Sequence, residues 1–168
     1  MKMSSSNTLV LNAQQIEQKL RRMAWQIFEK NHLEKEIIIA GISPQGAIVS
    51  QRLCQFLMEI SSVKVEVIEV KLNKDNPLSE EIKVSAHSKL NNKVVVLVDD
   101  VLNSGKTLMY AAQYFINQPL KKLMTTVLID RNYKRFPIKA DIVGLSLATT
   151  LQEHVSVEFG ETEAVFLN

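Results

Sequence analysis

The chain has 168 residues, 46% of them hydrophobic, which is enough to bury one sizeable core, and we expect a single domain over residues 1–168. Its 20 Lys and Arg nearly balance 18 Asp and Glu, which excludes the strongly basic field of a dedicated nucleic-acid binder and leaves only a local RNA-binding patch open. One cysteine, Cys54, excludes an intramolecular disulfide, and no apolar run reaches the roughly 20 residues of a membrane span, so we expect a cytoplasmic protein.

The first predicted elements are a short polar start and a helix. Residues 1–10 include a run of serines and are expected to form a flexible tail. Apolar residues then recur at three- and four-residue spacing and predict a helix over residues 11–31. Asn12 is expected to cap this helix together with Gln15, because an amide three residues after the cap can return the hydrogen bond.

A strand, a helix and a second strand follow. Residues 37–40 are continuously apolar and end at Gly41, which is typical of a strand buried on both faces. The spacing of apolar residues predicts a helix over residues 46–60. Alternation of β-branched and charged residues predicts a strand over residues 63–70.

Residues 71–92 are polar, contain Pro77 and follow neither the helical nor the strand period. They are predicted to form a flexible loop with a short strand near residues 82–84. A loop of that length inside a domain is unusual and is often a lid over a site.

The second half of the chain repeats the alternation of strands and helices. Continuous apolar runs predict buried strands over residues 93–98 and 123–129, and the segment between them predicts a helix over residues 107–117. Shorter β-prone segments lie at residues 141–145, 155–159 and 164–167. This order indicates an α/β fold with a central, mostly parallel sheet flanked by helices, whose ligand crevice lies beyond the carboxyl ends of the strands.

The segment between the strand at 93–98 and the next helix carries the chemistry. Asp99 and Asp100 provide carboxylates, which accept hydrogen bonds from vicinal sugar hydroxyls. Amide groups at a helix start point at an anion, Gly105 lets the backbone come close, and the hydroxyls of Ser104 and Thr107 add donors. The segment therefore predicts a sugar-phosphate site with a hydroxyl end and a phosphate end.

Two alternatives for this segment were weighed. A Walker A loop would need a glycine five residues before Gly105, and that position is Asp100, whose charge would repel phosphates. Simple capping of a turn and a helix start is the other alternative. The strand before the acids and the helix after the glycine favour the sugar-phosphate site.

The segment resembles the signature by which type I phosphoribosyltransferases bind 5-phosphoribosyl-1-pyrophosphate (PRPP): apolar residues, two acids, further apolar positions, then a small residue, Gly and Thr. The resemblance implies the fold of that family, with a small hood at residues 130–168. It also implies that Asp99 and Asp100 bind the ribose and act in catalysis, and that both lie near Mg²⁺, which is held mostly through PRPP and water. The residues implied to wrap the 5′-phosphate are Asn103, Ser104, Gly105, Lys106 and Thr107.

Over most of the chain the sequence is similar to the pyrimidine-operon attenuator proteins that are also uracil phosphoribosyltransferases. The matching stretches are the N-terminal helix, the Val-Asp-Asp-Val-Leu run and residues 128–144. This likeness implies that Asp130, Arg131, Pro137 and Ile138 border the nucleobase. A homodimer or higher homo-oligomer is expected as well.

Two stretches depart from that group. The pyrophosphate loop, often Thr-Arg-Gly in the group, reads Ser-Pro-Gln-Gly at residues 43–46, so Gln45 and Gly46 are the candidate contacts and the guanidinium is missing. A plain helix start is the alternative interpretation of this loop. In the lid, Lys74 is the candidate that stabilises the departing pyrophosphate, with Lys71 as a second choice and a solvated loop as the alternative.

Two classes of function remain. The first is a Mg²⁺-dependent enzyme of pyrimidine salvage that joins uracil to PRPP and releases pyrophosphate; purine acceptors are disfavoured because Asn103 stands where 6-oxopurine members carry an acid. The second is a regulator that senses PRPP or nucleotides, on RNA, and has lost catalytic power. The missing loop arginines favour the regulator.

The remaining conspicuous residues are given ordinary roles. His32, His87 and His154 lack metal-ligand spacing and are interpreted as surface or capping residues, so no zinc site is predicted. Trp25 lies off the apolar stripe of its helix and covers either a subunit interface or the edge of the core.

Overall fold

The chain alternates strands and helices in the computed structural model, which describes residues 7–86 and 89–168. His87 and residues 1–6 lie outside this described part. The helices in it are α1 (Ala13–Lys30), α2 (Gln45–Ile60) and α3 (Lys106–Ile116). The strands are β1 (Thr8–Asn12), β2 (Glu36–Ile42), β3 (Lys64–Lys71), β4 (Lys83–Val84), β5 (Val94–Leu102), β6 (Lys122–Asp130), β7 (Ile142–Ser146), β8 (Val155–Glu158) and β9 (Ala164–Leu167).

Six strands form a central sheet in the order β4-β3-β2-β5-β6-β7. Strands β3, β2, β5, β6 and β7 run parallel to their neighbours, whereas β4 is antiparallel to β3. This confirms the predicted mostly parallel sheet. Strand β5 lies between β2 and β6, so its carboxyl end opens at the middle of the sheet edge, where ligands bind in folds of this kind.

Helices cover both faces of the central sheet. Ile37 and Ile39 of β2 pack into a buried cluster with α1 and α2, while Ile38 and Ala40 belong to a cluster that includes α3 on the opposite face. Successive side chains of a strand point to opposite faces. The apolar run of β2 is continuous because both of its faces are buried.

The start of helix α1 has the predicted capping box. The Gln15 amide nitrogen donates to Asn12 Oδ1, and the Asn12 amide nitrogen donates to Gln15 Oε1, both at 2.9 Å. The helix begins at Ala13 and not at residue 11, because Leu11 and Asn12 belong to β1.

The prediction of a flexible tail is wrong for residues 8–10, which lie in β1. Strand β1 pairs antiparallel with β9, with Thr8 opposite Leu167, and β9 pairs antiparallel with β8. The resulting three-stranded sheet of β1, β9 and β8 is called the hood below. It differs from the hood implied at residues 130–168, because β7 in that range joins the central sheet and β1 comes from the N-terminal part of the chain. Local composition did not reveal β1, because its partner lies near the opposite end of the sequence.

Side chains of helix α2 hold the hood on the central sheet. Gln45 Nε2 donates to the carbonyl oxygen of Val157 at 2.9 Å, and Arg52 Nη1 lies 2.8 Å from Glu163 Oε2. The hood is thus fixed over the carboxyl edge of the sheet. No helix in the described chain combines the length and the apolar character that a bilayer crossing requires.

The segment predicted to be a lid, residues 71–92, keeps that name below, and its described part begins with a tight turn. Asn73 Oδ1 accepts from the amide nitrogens of Asp75 and Asn76, at 3.1 and 3.0 Å. The short strand predicted near residues 82–84 is present as β4, which pairs with the end of β3.

Candidate active site

Strand β5 carries the acid pair to the carboxyl edge of the sheet. The strand continues through Leu102, four residues beyond the predicted end, so Asp99 and Asp100 lie within it. Because side chains alternate along a strand, the two acids face different surroundings. Asp99 is only 3% exposed, whereas Asp100 is partly exposed.

The loop from residue 103 to residue 107, called here the phosphate loop, joins β5 to α3. Gly105 precedes the helix with φ 85°, a left-handed conformation that glycine adopts without strain, and Thr107 lies in the first turn. A Cβ at position 105 would lie 2.8 Å from Ile138 Cγ2. The Ser104 carbonyl accepts from the amide nitrogen of Phe136 at 3.0 Å. The loop is therefore backed by the segment that follows β6, and its residues line a small cavity of about 30 Å³ at the start of α3. The Lys106 amide nitrogen donates to Ser104 Oγ at 3.3 Å.

A cleft of about 270 Å³ separates the acid pair from the hood. Its near wall includes Lys74, Asp99, Asp100 and Thr107, and its far wall is residues 154–157 of the hood. The cleft has the chemistry that a phosphorylated sugar requires, because two carboxylates, a lysine and Thr107 from the first turn of α3 line it.

The predicted pyrophosphate loop packs directly against the acid pair. A Cβ at Gly46 would lie 2.7 Å from the Val98 carbonyl oxygen and 3.2 Å from Asp99 Oδ1, so the loop approaches this closely only because residue 46 is glycine. The Ser43–Pro44 peptide bond is cis. The Gln45 side chain donates to the hood strand β8, and Gln45 and Gly46 form the start of helix α2. This fits the alternative interpretation of the loop as a plain helix start.

Two lysines connect the lid with the site. Lys74 Nζ lies 3.3 Å from Asp99 Oδ1, and Lys106 Nζ donates to the Asp75 carbonyl oxygen at 2.9 Å. Lys71, the second lid candidate, pairs with Glu69 at 3.4 Å. The structure thus brings Lys74 to the acid pair and keeps Lys71 outside the cleft.

The environment of Asp99 favours its neutral form. Burial, followed by the charge of Asp100, raises the pKa of Asp99 from its ordinary 3.8 to about 8, while Lys74 opposes the rise. The Asp100 amide nitrogen also donates to Asp99 Oδ1 at 3.0 Å. Burial beside Asp100 therefore favours the protonated form of Asp99, and a cation brought into the cleft would favour the ionised form.

The acid pair also suits Mg²⁺. Within residues 7–86 and 89–168, no group of three or more His, Cys, Asp or Glu side chains could hold a metal by itself. Mg²⁺ commonly takes one or two carboxylates together with substrate phosphate oxygens and water. Asp99 and Asp100 fit that pattern, in which the substrate completes the site.

The four residues predicted to border the base differ in their burial and in the residues they contact. Asp130 is buried and accepts from the Asn132 amide nitrogen at 2.9 Å and from Lys134 Nζ at 3.0 Å. Arg131 is also buried. Ile138 packs behind Gly105, and Pro137 is exposed beside it.

The hood wall, residues 154–157, was missed by the sequence interpretation. His154 and Ser156 line the cleft opposite the acid pair, in strand β8 or directly before it. The alternation of buried Val155 and Val157 identifies a strand, but no local pattern places that strand over a site formed by distant residues.

Comparison with known sequences identifies relatives along nearly the whole chain. A family model described as phosphoribosyl transferase domain matches residues 6–162. A protein named Bifunctional protein PyrR from Alkaliphilus metalliredigens is 35% identical over 162 residues, covering 92% of this chain and 89% of the relative. A protein of the same name from Clostridium kluyveri is 33% identical and covers 92% of each chain.

Solved structures share the fold at low sequence identity. The hypoxanthine phosphoribosyltransferase of Trypanosoma cruzi superimposes with a TM-score of 0.76 at 16% identity, covering 88% of this chain and 84% of that one. A hypoxanthine phosphoribosyltransferase from Staphylococcus aureus gives 0.70 at 18% identity, with 83% and 77% covered. At these identities the likeness extends to the fold alone.

Proposed function

Because the chain belongs to the phosphoribosyl transferase domain family, we propose that it transfers the phosphoribosyl group of PRPP to uracil and releases pyrophosphate. A base nitrogen forms a bond to the anomeric carbon as the bond from that carbon to the pyrophosphate oxygen breaks. The proton of the base nitrogen passes to water at the open mouth of the cleft. Mg²⁺, when bound, neutralises charge on the leaving pyrophosphate.

The observation that carries this proposal is the convergence of the acid pair with two ends of neighbouring elements. Asp99 and Asp100 line the cleft together with Asn103 and Thr107 of the phosphate loop. Gly46, at the start of α2, packs against Asp99 from the other side. In the proposed complex Asp100 accepts from the ribose hydroxyls, Asp99 supports the cation, and the phosphate loop amides hold the 5′-phosphate. Each group serves one part of PRPP.

Lys74 is proposed to stabilise the charge that develops on pyrophosphate. It reaches Asp99 from the lid, and it is the lid cation that the structure brings to the cleft. Charge stabilisation fixed in advance is commonly the largest catalytic term. A lysine delivers a point charge without the bidentate geometry of an arginine, so the lid must hold it in place.

Uracil is proposed as the acceptor on two grounds. The motifs resemble the pyrimidine-operon attenuators that are uracil phosphoribosyltransferases, and the named relatives are at least 33% identical over nearly their whole length. Asn103 is an amide and so supplies no acid near the base, and its side-chain oxygen accepts from Arg131. On the same grounds we propose a cytoplasmic homodimer that acts in pyrimidine salvage.

A base panel tests the enzymatic proposal. Purified protein receives PRPP and Mg²⁺ with uracil, cytosine, hypoxanthine or guanine, and pyrophosphate release is followed. We expect release with uracil alone. Release with hypoxanthine or guanine alone would instead identify a purine enzyme, and release with none of the bases would contradict catalysis.

A regulator that binds nucleotides without catalysis is the second candidate. The observation that favours it is the pyrophosphate loop, which has no guanidinium and whose Gln45 side chain is engaged with the hood. Binding of pyrimidine-leader RNA at several salt concentrations tests it, because phosphate contacts make affinity fall with salt. RNA binding together with PRPP binding, in a protein that releases no pyrophosphate with any base, would support the regulator.

A further inference from the structure

Arg131 connects the two walls of the cleft from behind. Its side chain is buried, and the residue is 7% exposed. Nη1 donates to Asn103 Oδ1 at 3.0 Å, at the start of the phosphate loop. On the other side, Nε donates to Thr149 Oγ1 at 3.1 Å, and Nη2 donates to the carbonyl oxygens of Thr150 and Glu153.

The residues that Arg131 contacts adjoin both walls of the cleft. Asn103 directly precedes the residues proposed to hold the 5′-phosphate. Glu153 directly precedes the hood wall, residues 154–157. The Arg131 backbone is itself fixed, because its amide nitrogen donates to the Leu102 carbonyl at 3.1 Å. One planar guanidinium thus spans from the phosphate loop to the hood.

A purely local role for Arg131 in folding the hood loop does not explain this arrangement. The segment from Thr150 to Glu153 is already closed by a hydrogen bond from the Thr150 amide nitrogen to Glu153 Oε2 at 2.6 Å. What Arg131 adds is the connection to Asn103. A guanidinium offers donors in a fixed fork, so it holds its acceptors at set directions as well as set distances.

We propose that Arg131 is a positioning residue that sets the separation between the phosphate loop and the hood wall. The sequence implied that Arg131 borders the base; in this proposal its side chain places the surfaces between which the base enters. This inference rests on the proposed function, since it assumes that the sugar phosphate binds one wall and the base the other. Misplacement of about 1 Å in such a site costs on the order of a hundredfold in rate.

Two ligands distinguish the contributions of the two walls to binding. Ribose 5-phosphate uses the acids and the phosphate loop, whereas uridine 5′-monophosphate also needs the hood wall. By calorimetry, Arg131→Met is expected to lower uridine monophosphate affinity at least about tenfold, the loss typical of a hydrogen bond to a charged group, and to leave ribose 5-phosphate affinity within about twofold. Arg131→Lys keeps the charge without the forked donors of a guanidinium. Its uridine monophosphate affinity is expected to lie between those of the wild type and Arg131→Met.

Two further variants provide controls. Arg21→Met removes an arginine of the exposed Glu17 and Glu59 ion pairs, far from the cleft, and is expected to change neither affinity. Thr149→Val removes one hood-side acceptor of Arg131 and is expected to lower nucleotide affinity alone, by a smaller factor. Circular dichroism establishes folding, and if Arg131→Met does not fold, the Thr149 variant decides.

Four outcomes would overturn the inference. An equal fall in the affinities of Arg131→Met for both ligands would mean that Arg131 acts on the phosphate loop alone. Unchanged affinities for both ligands would mean that Arg131 has no positioning role. An unchanged ratio of the two affinities in Thr149→Val would do the same. A wild type that binds ribose 5-phosphate but no nucleotide would contradict the acceptor cleft of the proposed function, and the inference with it.

Discussion

At the scale of single residues, the acid pair shows how neighbours in sequence acquire different properties. Asp99 points into a buried space shared with Lys74, while Asp100 stays partly exposed at the cleft. Both acids could be identified from the sequence, because paired carboxylates before a Gly-containing turn are a specific pattern. Their different burial could not, because it depends on Gly46 and on the lid, which are distant in the sequence.

Asp100→Asn tests the ribose contact. The variant keeps the size of the side chain but loses the charge that strengthens hydrogen bonds from hydroxyls, so PRPP affinity is expected to fall about tenfold or more. Calorimetric titration measures the affinity, and circular dichroism confirms that the fold is intact. An unchanged affinity would remove Asp100 from the site.

The stability of the free protein should depend on the ionisation of Asp99. Its pKa is raised in the folded state, so the folded protein binds this proton more tightly than the unfolded chain does, and stability declines as pH rises from about 3.8 to about 8. Asp99→Asn carries no ionisable proton. The Tm of Asp99→Asn minus the Tm of the wild-type protein is therefore expected to be larger at pH 8 than at pH 5. A smaller difference at pH 8 would contradict the raised pKa of Asp99.

Lys74→Met and Lys71→Met form a matched pair in the lid. Both variants remove one lysine, but only Lys74 reaches Asp99. With PRPP and the active base, we expect kcat to fall by about a hundredfold in the Lys74 variant and by less than about twofold in the Lys71 variant. Similar effects of the two changes would mean that the lid contributes only general positive charge.

At the scale of elements, the regular patterns were the most predictable. The capping box of α1 and the continuous apolar runs of β2, β5 and β6 are local signals, and the structure confirms them. Strand β1 was not predictable, because it depends on pairing with β9. The predicted end of β5 is too early because two acids interrupt its apolar run, although β6 continues to pair with β5 as far as Leu102.

Strand β6 contains two adjacent threonines in opposite situations. Thr126 Oγ1 is buried without a hydrogen-bond partner among the described residues, whereas Thr125 Oγ1 donates to the Lys139 carbonyl at 3.0 Å. Valine has the same shape without the hydroxyl. We expect Thr126→Val to raise the free energy of unfolding by about 1 kcal/mol and Thr125→Val to lower it by about 1 kcal/mol. Urea denaturation measures both, and changes of the same sign would contradict the assigned environments.

At the scale of the whole molecule, the cleft exists only because distant segments meet. The near wall comes from the centre of the sheet and the lid, and the far wall comes from the hood. A single stretch of sequence predicts the phosphate end of the site, and the structure confirms that a helix starts there, at Lys106. The hood wall was not, since residues 154–157 carry no motif and reach the cleft only through tertiary packing.

Ligand binding should stabilise the whole fold if both walls act together. Uridine 5′-monophosphate at about a hundred times its Kd is expected to add about 2.7 kcal/mol to the free energy of unfolding. Uridine at the same concentration, which lacks the phosphate, is expected to add much less. Differential scanning fluorimetry compares the two, and equal shifts in Tm would mean that the phosphate loop takes no part.

The position of β9 has a consequence for shortened forms of the protein. This strand, Ala164–Leu167, is the middle one of the hood, between β1 and β8. A truncation just before Ala164 would remove β9 and none of the groups proposed to hold PRPP. The two outer strands would nevertheless lose their shared neighbour. Such a truncation product would keep its phosphate loop and lose the hood wall opposite it.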